Sequence, residues 1–331
     1  MVGSAESVAR VERTVLDHVR GSGTAAALAP ALARWQQRRI PAYGRFCAGL
    51  EPRELTDIPS APVALLKHVR FCITTQPGAV FRTSGTTSGA RGEHALASTR
   101  VYDEAARLWF EACVPDCPTE HTISLVTDSD QHPDSSLGHM VSSFAPDKRS
   151  FFDLARGVDT RGAWQALAGA TEPTWLPTTA FALAELLRAP GSVRLPAGSV
   201  LMVTGGFKGR SSSLDEQALL DAARGRLGVE RVVREYGMTE LSSQLWDTGR
   251  GYRAPPWLHV YAVDPVTAEP VEGVGLLRFV DCANWSSCLA IETEDLGVVC
   301  GDRVDLAGRL KGAPARGCSL SVEEATGWTS G

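Results

Sequence analysis

The sequence predicts an α/β fold with a β-rich C-terminal region, on three observations. Short β-rich runs alternate with helical ones from Val80 onward, helical periodicity fades after Gly251, and nowhere do apolar residues run long enough to span a bilayer. Taking the elements in order, Val8, Val11, Val15 and Val19 recur at helical spacing between Ser7 and Arg20, with Leu16 widening the stripe. A second helix is predicted from Ala25 to Arg38, broken by Ile40-Pro41-Ala42-Tyr43-Gly44. A further proline-punctuated connection, Ile58 to Val63, follows. Residues 1–60 thus read as an N-terminal helical cap.

Residues 61–250 read as the α/β core. Its predicted strands are Val80-Phe81-Arg82, Thr122 to Thr127, Thr174-Trp175-Leu176 and Ser199 to Thr204. Its predicted helices are Thr99 to Cys113, Ala163 to Ala170, Thr179 to Leu187 and Leu214 to Leu227. Residues 251–307 read as a smaller antiparallel region carrying the runs Val274 to Val280 and Gly297 to Cys300, and residues 308–331 as a short tail.

Composition bounds the function. With 331 residues, 44% hydrophobic and 21% charged, and a mean hydropathy of -0.07, the chain is of ordinary globular type. A net charge of -5 excludes a broad electrostatic grip on nucleic acid. The N-terminus lacks a charged stretch followed by an apolar one, which predicts a cytoplasmic protein with no membrane partner. The 8 cysteines show no paired metal-ligand spacing, so most are expected to be small buried hydrophobes.

The strongest local signal is the Gly/Ser/Thr cluster from Thr83 to Gly92. Glycines at 85, 89 and 92 let backbone N–H groups approach an anion, hydroxyls donate, and Arg91 supplies a forked charge. It is not a Walker A loop, and composition alone fits a solvated loop equally well. Downstream lies Arg234-Glu235-Tyr236-Gly237-Met238-Thr239-Glu240-Leu241, after the apolar pair Val232-Val233. Taken singly, Tyr236 fits a packed aromatic and Glu240 a carboxylate at a helix start.

Together the two segments resemble the adenylate-forming, acyl-CoA-synthetase-like superfamily. Residues 83 to 92 align without a gap with its phosphate loop Thr-Ser-Gly-Thr-Thr-Gly-x-Pro-Lys-Gly, departing at Ser88, Ala90 and Arg91. Its Tyr-Gly-x-Thr-Glu motif is matched by Tyr236, Gly237, Thr239 and Glu240. The resemblance implies that family's large domain, mixed sheets covered by helices, with ATP and Mg²⁺ as cofactors. By that likeness Thr83, Ser84, Gly85, Thr86, Thr87 and Arg91 bind the phosphates. The Tyr236 ring stacks on adenine with Gly237 among the adenine- and ribose-binding residues, Thr239 touches the α-phosphate and Glu240 holds Mg²⁺. Gly205 and Gly206 form the adenine loop, and Thr293-Glu294-Asp295-Leu296-Gly297 resembles the ribose motif Thr-Gly-Asp-Leu-Gly. Asp295 is then the ribose ligand, with a plain turn Asp as its alternative, and Gly308-Arg309 matches the hinge of the family.

Full-length members carry about a hundred residues past that hinge, an ordinary domain's size, which deliver a catalytic lysine. Here 22 residues follow Arg309, so the expectation is either that Lys208 or Lys311 substitutes or that the chain is a partial enzyme that needs a partner. A surface lysine without a role is the default for both. The shortened tail resembles the LuxE-type acyl-protein synthetases. Three stretches carry that likeness: His132 to Met140, Thr204 to Lys208 and Gly308 to Leu320. It implies that Cys318 accepts the acyl group before passing it to a reductase partner. Arg309, Lys311 and Arg316 near Cys318 would lower its pKa, while burial of a structural Cys is the alternative. His139 has three readings: it orients the carboxylate, caps a helix, or stands exposed.

The predicted activity is therefore ATP-dependent activation of a fatty or aromatic carboxylic acid, then transfer to a thiol. Two alternatives stand beside self-acylation: a stand-alone ligase using coenzyme A or a carrier protein, and a nucleotide-binding subunit without chemistry. Trp175, Phe181, Phe207, Met238 and Trp246 are candidate lining for an apolar acid pocket, or simply core.

Overall fold

The computed structural model describes residues 2–83, 91–205 and 213–310. The chain divides into two compact units, one of Met1–Leu108, Met238–Gln244 and Arg253–Gly331, the other of Trp109–Gly237 and Leu245–Tyr252.

The second unit holds the α/β alternation. Strands Trp175–Thr179, Val200–Thr204 and Arg231–Tyr236 run parallel, with Thr179 and Glu235 both opposite Thr204. Leu245–Asp247 adds an antiparallel strand beside Arg231–Tyr236. Val200–Thr204 is buried throughout, as a strand covered on both faces must be, which explains its unbroken apolar run. Helices Thr160–Ala168, Ala180–Arg188 and Ser213–Leu227 supply the crossovers, and the core gathers Leu125, Leu167, Leu176, Leu183, Leu201 and Leu227.

Two elements here depart from the sequence expectation. Of the strand expected over Thr122 to Thr127, Ile123–Ser124 is regular and is flanked by single bridges from Thr122 to Trp175 and Leu125 to Thr178, and pairing ends where Val126 N donates back to the Ser124 hydroxyl at 3.1 Å. Ser136–Phe144, read as a motif, is a helix whose N-cap Ser135 accepts from Gly138 N at 3.0 Å.

The first unit is built on an antiparallel meander of Leu258–Val263, Gly275–Asp281, Ala290–Cys300 and Arg303–Arg309, the expected β-rich region. Ala61–Pro62 pairs parallel to Ile291 and Glu292. Helix Val2–Arg20 precedes helix Ala25–Arg39, which lays Ala29, Leu32, Ala33 and Gln36 against Gly275–Asp281 and the turn Cys282–Asn284. The chain breaks at Ile40 as expected, then starts a further short helix, Pro41–Phe46. Pro41 sits at its first position, where the missing N–H costs nothing. Strands Ala79–Arg82 and Glu93–Leu96 form an antiparallel hairpin. Among the described residues, no helix is long and apolar enough to cross a membrane.

Candidate functional site

The Thr83 to Gly92 segment is the connection of that hairpin. Thr83 N donates to Gly92 O at 3.0 Å, and Gly92 N donates back to the Thr83 hydroxyl at 2.9 Å, so the segment leaves and returns at one closed stem. Arg91 reinforces the stem: its Nε donates to Thr83 O at 2.6 Å and one terminal nitrogen to Arg82 O at 3.2 Å. Below it, Glu93 accepts from Arg82 at 2.9 Å and from the Arg70 Nε at 2.9 Å. Arg70 first, then Arg82, holds the Glu93 carboxyl below the usual carboxylate range.

Glu240 meets this stem. A methyl group placed on Gly92 would lie 3.2 Å from the Thr83 methyl and 3.6 Å from a Glu240 carboxylate oxygen. Glycine at 92 therefore keeps the stem and the carboxylate close. Mg²⁺ is commonly held by one or two protein carboxylates together with substrate phosphates, rather than by a full protein cage. A buried carboxylate beside the stem at Thr83 and Gly92 fits that donor set, and no group of three or more His, Cys, Asp or Glu placed to hold a metal occurs among the described residues.

Behind Glu240 lies a buried polar network. Asn284 donates its carboxamide N–H to Glu240 O at 2.9 Å and Cys288 O at 3.1 Å, and accepts from the Ser242 hydroxyl. Asp281 accepts from Ser242 N at 3.0 Å, Ser243 N at 2.9 Å, the Ser243 hydroxyl at 2.8 Å and Ala283 N at 2.9 Å. Burial nonetheless pushes its carboxyl up to about 6. His94, fully buried two residues past Gly92, lies against the Thr239 main chain and the Asn284 carboxamide, without a well-formed hydrogen bond to either. Burial lowers its pKa to about 4, so the imidazole is neutral at pH 7.

Asp295, the predicted ribose ligand, and Arg309 of the hinge match are also brought together in this unit. Asp295 and Arg309 are opposite one another across two antiparallel strands, with Arg309 Nε 3.6 Å from the Asp295 carboxylate and a terminal nitrogen 3.3 Å from Glu294. Gly308 just before Arg309 has φ +122°, a conformation that favours glycine.

In the second unit the carboxyl ends of the parallel strands carry the remaining predicted residues. Gly205, at φ +73°, follows Thr204, and Tyr236 ends Arg231–Tyr236 with its ring 6.0 Å from that of Tyr252. Carboxyl ends of parallel strands are where α/β folds place ligands. Gly237 follows Tyr236, while Thr239 and Glu240 belong to the first unit, so the motif divides between the two. Arg234 pairs with Asp247 and, at 3.0 Å, with Glu216, its guanidinium 5.3 Å from the Tyr252 ring. Glu235 is buried and accepts from the Thr204 hydroxyl; burial pushes its carboxyl up to about 7. His139 lies half-buried on helix Ser136–Phe144.

Among the proposed pocket residues, Trp175 and Trp246 pack as core, with Phe110 5.4 Å and 5.0 Å from their respective rings, whereas Phe181 is exposed. Of the described cysteines, Cys47, Cys282 and Cys288 are buried, Cys72, Cys113 and Cys117 are half-buried and Cys300 is exposed, so the buried ones fall short of the expected majority. Ser84, Gly85, Thr86, Thr87, Gly206, Phe207, Lys208, Lys311 and Cys318 lie outside the described residues. The sequence reading missed Glu235, His94, Asp281 and Asn284. A carboxylate inside the strand run Arg231–Tyr236, and Asp and Asn beside Cys282 and Ala283, were the available signals.

The class follows from fold and comparison together: the chain has the fold of the large domain of adenylate-forming enzymes. ATP-bound MatB from Rhodopseudomonas palustris superposes with a TM-score of 0.53 at 16% identity, over 70% of this chain and 48% of that one. McyG A-PCP complexed with phenylalanyl-adenylate superposes at 0.50 and 18% identity, over 72% and 41%. Within that class, the likeness in sequence is to acyl-protein synthetases of the LuxE type. A stretch of 140 residues is 29% identical to the long-chain-fatty-acid–luciferin-component ligase of Aliivibrio fischeri, covering 37% of this chain and 36% of that protein. A stretch of 106 residues is 30% identical to the same ligase of Vibrio harveyi, covering 29% and 28%. The matches thus span about a third of these relatives. No protein-family model matches the chain.

Proposed function

We propose that this chain activates a carboxylic acid with ATP and transfers the acyl group to a thiol. The observation that carries the reading is the meeting of the Thr83–Gly92 stem with the Glu240 carboxylate, in a fold shared with adenylate-forming enzymes. In the first step a carboxylate oxygen attacks the α-phosphorus of ATP. The bond from that phosphorus to the bridging oxygen breaks, and pyrophosphate leaves with the electron pair. Mg²⁺ held by Glu240 would offset phosphate charge. In this reading Thr83 and Arg91 close the stem of the phosphate cradle, and Thr239 donates to the α-phosphate. Asp295 and Arg309 receive the ribose, and Tyr236 stacks on the base. Fixed donors of this kind stabilise developing charge without reorganising.

In the second step a thiolate attacks the acyl carbon and AMP leaves with the electron pair. We assign the thiol to Cys318, with Lys208 and His139 as the further catalytic candidates and a reductase, carrier protein or coenzyme A as the onward acceptor. Likeness to the Aliivibrio and Vibrio ligases supports a fatty acid as substrate. The test is acid-dependent exchange of labelled pyrophosphate into ATP, followed by acyl-labelling of wild type and Cys318→Ala. A hydroxylamine-sensitive acyl-protein bond in wild type alone supports self-acylation. Equal thioester formation on added coenzyme A or carrier by both proteins supports the stand-alone ligase instead.

A further inference from the structure

Residues 237–244 form no regular helix or strand, so their backbone polar groups lack ladder partners. Leu241 N turns back to Met238 O at 3.1 Å, and several of the other groups are met by one short segment of the first unit, Asp281 to Asn284. Asn284 takes the Glu240 carbonyl and the Ser242 hydroxyl, while Asp281 takes the amides of Ser242 and Ser243. Trp257 Nε1 donates to the Ser243 hydroxyl at 3.0 Å, adding a third hold. Asn284 is itself fixed from behind: Gln36 donates to its main-chain carbonyl at 2.7 Å and to Trp285 O at 3.0 Å, and accepts from Leu289 N at 3.0 Å. Both Gln36 and Asn284 are wholly buried, so neither bond competes with water.

We propose that Asn284 is a positioning residue for metal-bound nucleotide, setting the place of the Glu240 carboxylate through the Glu240 carbonyl. The proposal rests on the reading of Glu240 as the Mg²⁺ ligand. Asn284 holds the main chain of the proposed metal ligand rather than its carboxylate, an outer hold that fixes where the coordinating side chain starts. Its carboxamide also borders His94, on the strand that returns from the phosphate connection. The same side chain therefore faces both the carboxylate turn and the hairpin. Helix Ala25–Arg39, through Gln36, becomes part of the nucleotide apparatus rather than a cap alone.

The discriminating variant is Asn284→Asp. It keeps the shape and the acceptor for Ser242 but replaces the two N–H donors with an oxygen that repels the Glu240 and Cys288 carbonyls. Titration calorimetry of Mg·ATP onto the full chain reads the effect directly. Loss of an outer partner of a metal site weakens binding about tenfold, at the low end of such effects. The Mg²⁺ concentration for half-maximal pyrophosphate exchange should rise in step, while KM for the acid stays within about twofold. Ser287→Ala is the matched control: its hydroxyl donates to Phe71 O at 3.1 Å, in the same segment but away from Glu240, so Mg·ATP affinity should not move. Should Asn284→Asp fail to fold, Ser242→Ala removes the hydroxyl that fixes Asn284 and should weaken Mg·ATP in the same direction. An unchanged Mg·ATP affinity in the folded variants, or an equal loss in Ser287→Ala, overturns the proposal while leaving the function standing. Wild type that neither binds Mg·ATP nor exchanges pyrophosphate overturns both.

Discussion

Glu235 offers a prediction whose size follows from the structure. Its carboxyl is buried in the second unit with the Thr204 hydroxyl as donor, and burial raises its pKa from 4.5 to about 7. The folded protein therefore holds the Glu235 proton more tightly than the unfolded chain does. Stability from this group is fully present below about pH 4.5 and is lost as pH rises through about 7. At about 1.36 kcal/mol per pKa unit, the loss amounts to about 3 kcal/mol by pH 8. Its charged neighbours do not confuse the window: Arg234 and its partner Asp247 keep their charges there, and burial holds Tyr252 neutral well above it. Glu235→Gln removes the ionisation while keeping the shape. Urea denaturation at pH 5 and pH 8 should show the variant gaining about 2–3 kcal/mol on wild type between the two, since part of the loss has already occurred at pH 5, a difference that cancels every other titrating group. A stability difference that does not change with pH would refute the argument.

Further outcomes follow from other residues. Asp281→Ala leaves four buried donors without an acceptor, and should cost about 3 kcal/mol or more of unfolding free energy in the same urea assay. Arg309→Ala removes the ion pair with Asp295 and a proposed ribose contact. KM for ATP in the exchange assay should rise about tenfold, with KM for the acid within about twofold. Gly92→Val, which forces branched carbons against Thr83 and Glu240, should abolish Mg·ATP binding by calorimetry while leaving thermal unfolding cooperative.

How far the sequence could be read depended on whether a signal was local. The helix Ser213–Leu227 and the strand Val200–Thr204 announce themselves by period and by an unbroken apolar run. Of the residues aligned on family motifs, Asp295 stands beside Arg309, Glu240 beside Gly92, and Tyr236 at a strand end. Helix Ser136–Phe144 was hidden because Ser135, Ser136, Gly138, Ser142 and Ser143 look like a loop until Ser135 is seen to cap it. Asn284 and Gln36 were invisible for a different reason. They are 248 positions apart, and a buried amide acquires meaning only from the carbonyls it meets. The pairing of Glu235 with Thr204 likewise exists only because two parallel strands place them side by side.

The measurement that tests the central claim most directly is exchange of labelled pyrophosphate into ATP by the purified full chain, with and without a panel of fatty and aromatic acids. Acid-dependent exchange that needs Mg²⁺ and is lost in Glu240→Ala is the predicted result. Exchange that is absent with every acid, from a chain that still binds Mg·ATP, would contradict acid activation and leave a nucleotide-binding subunit in its place.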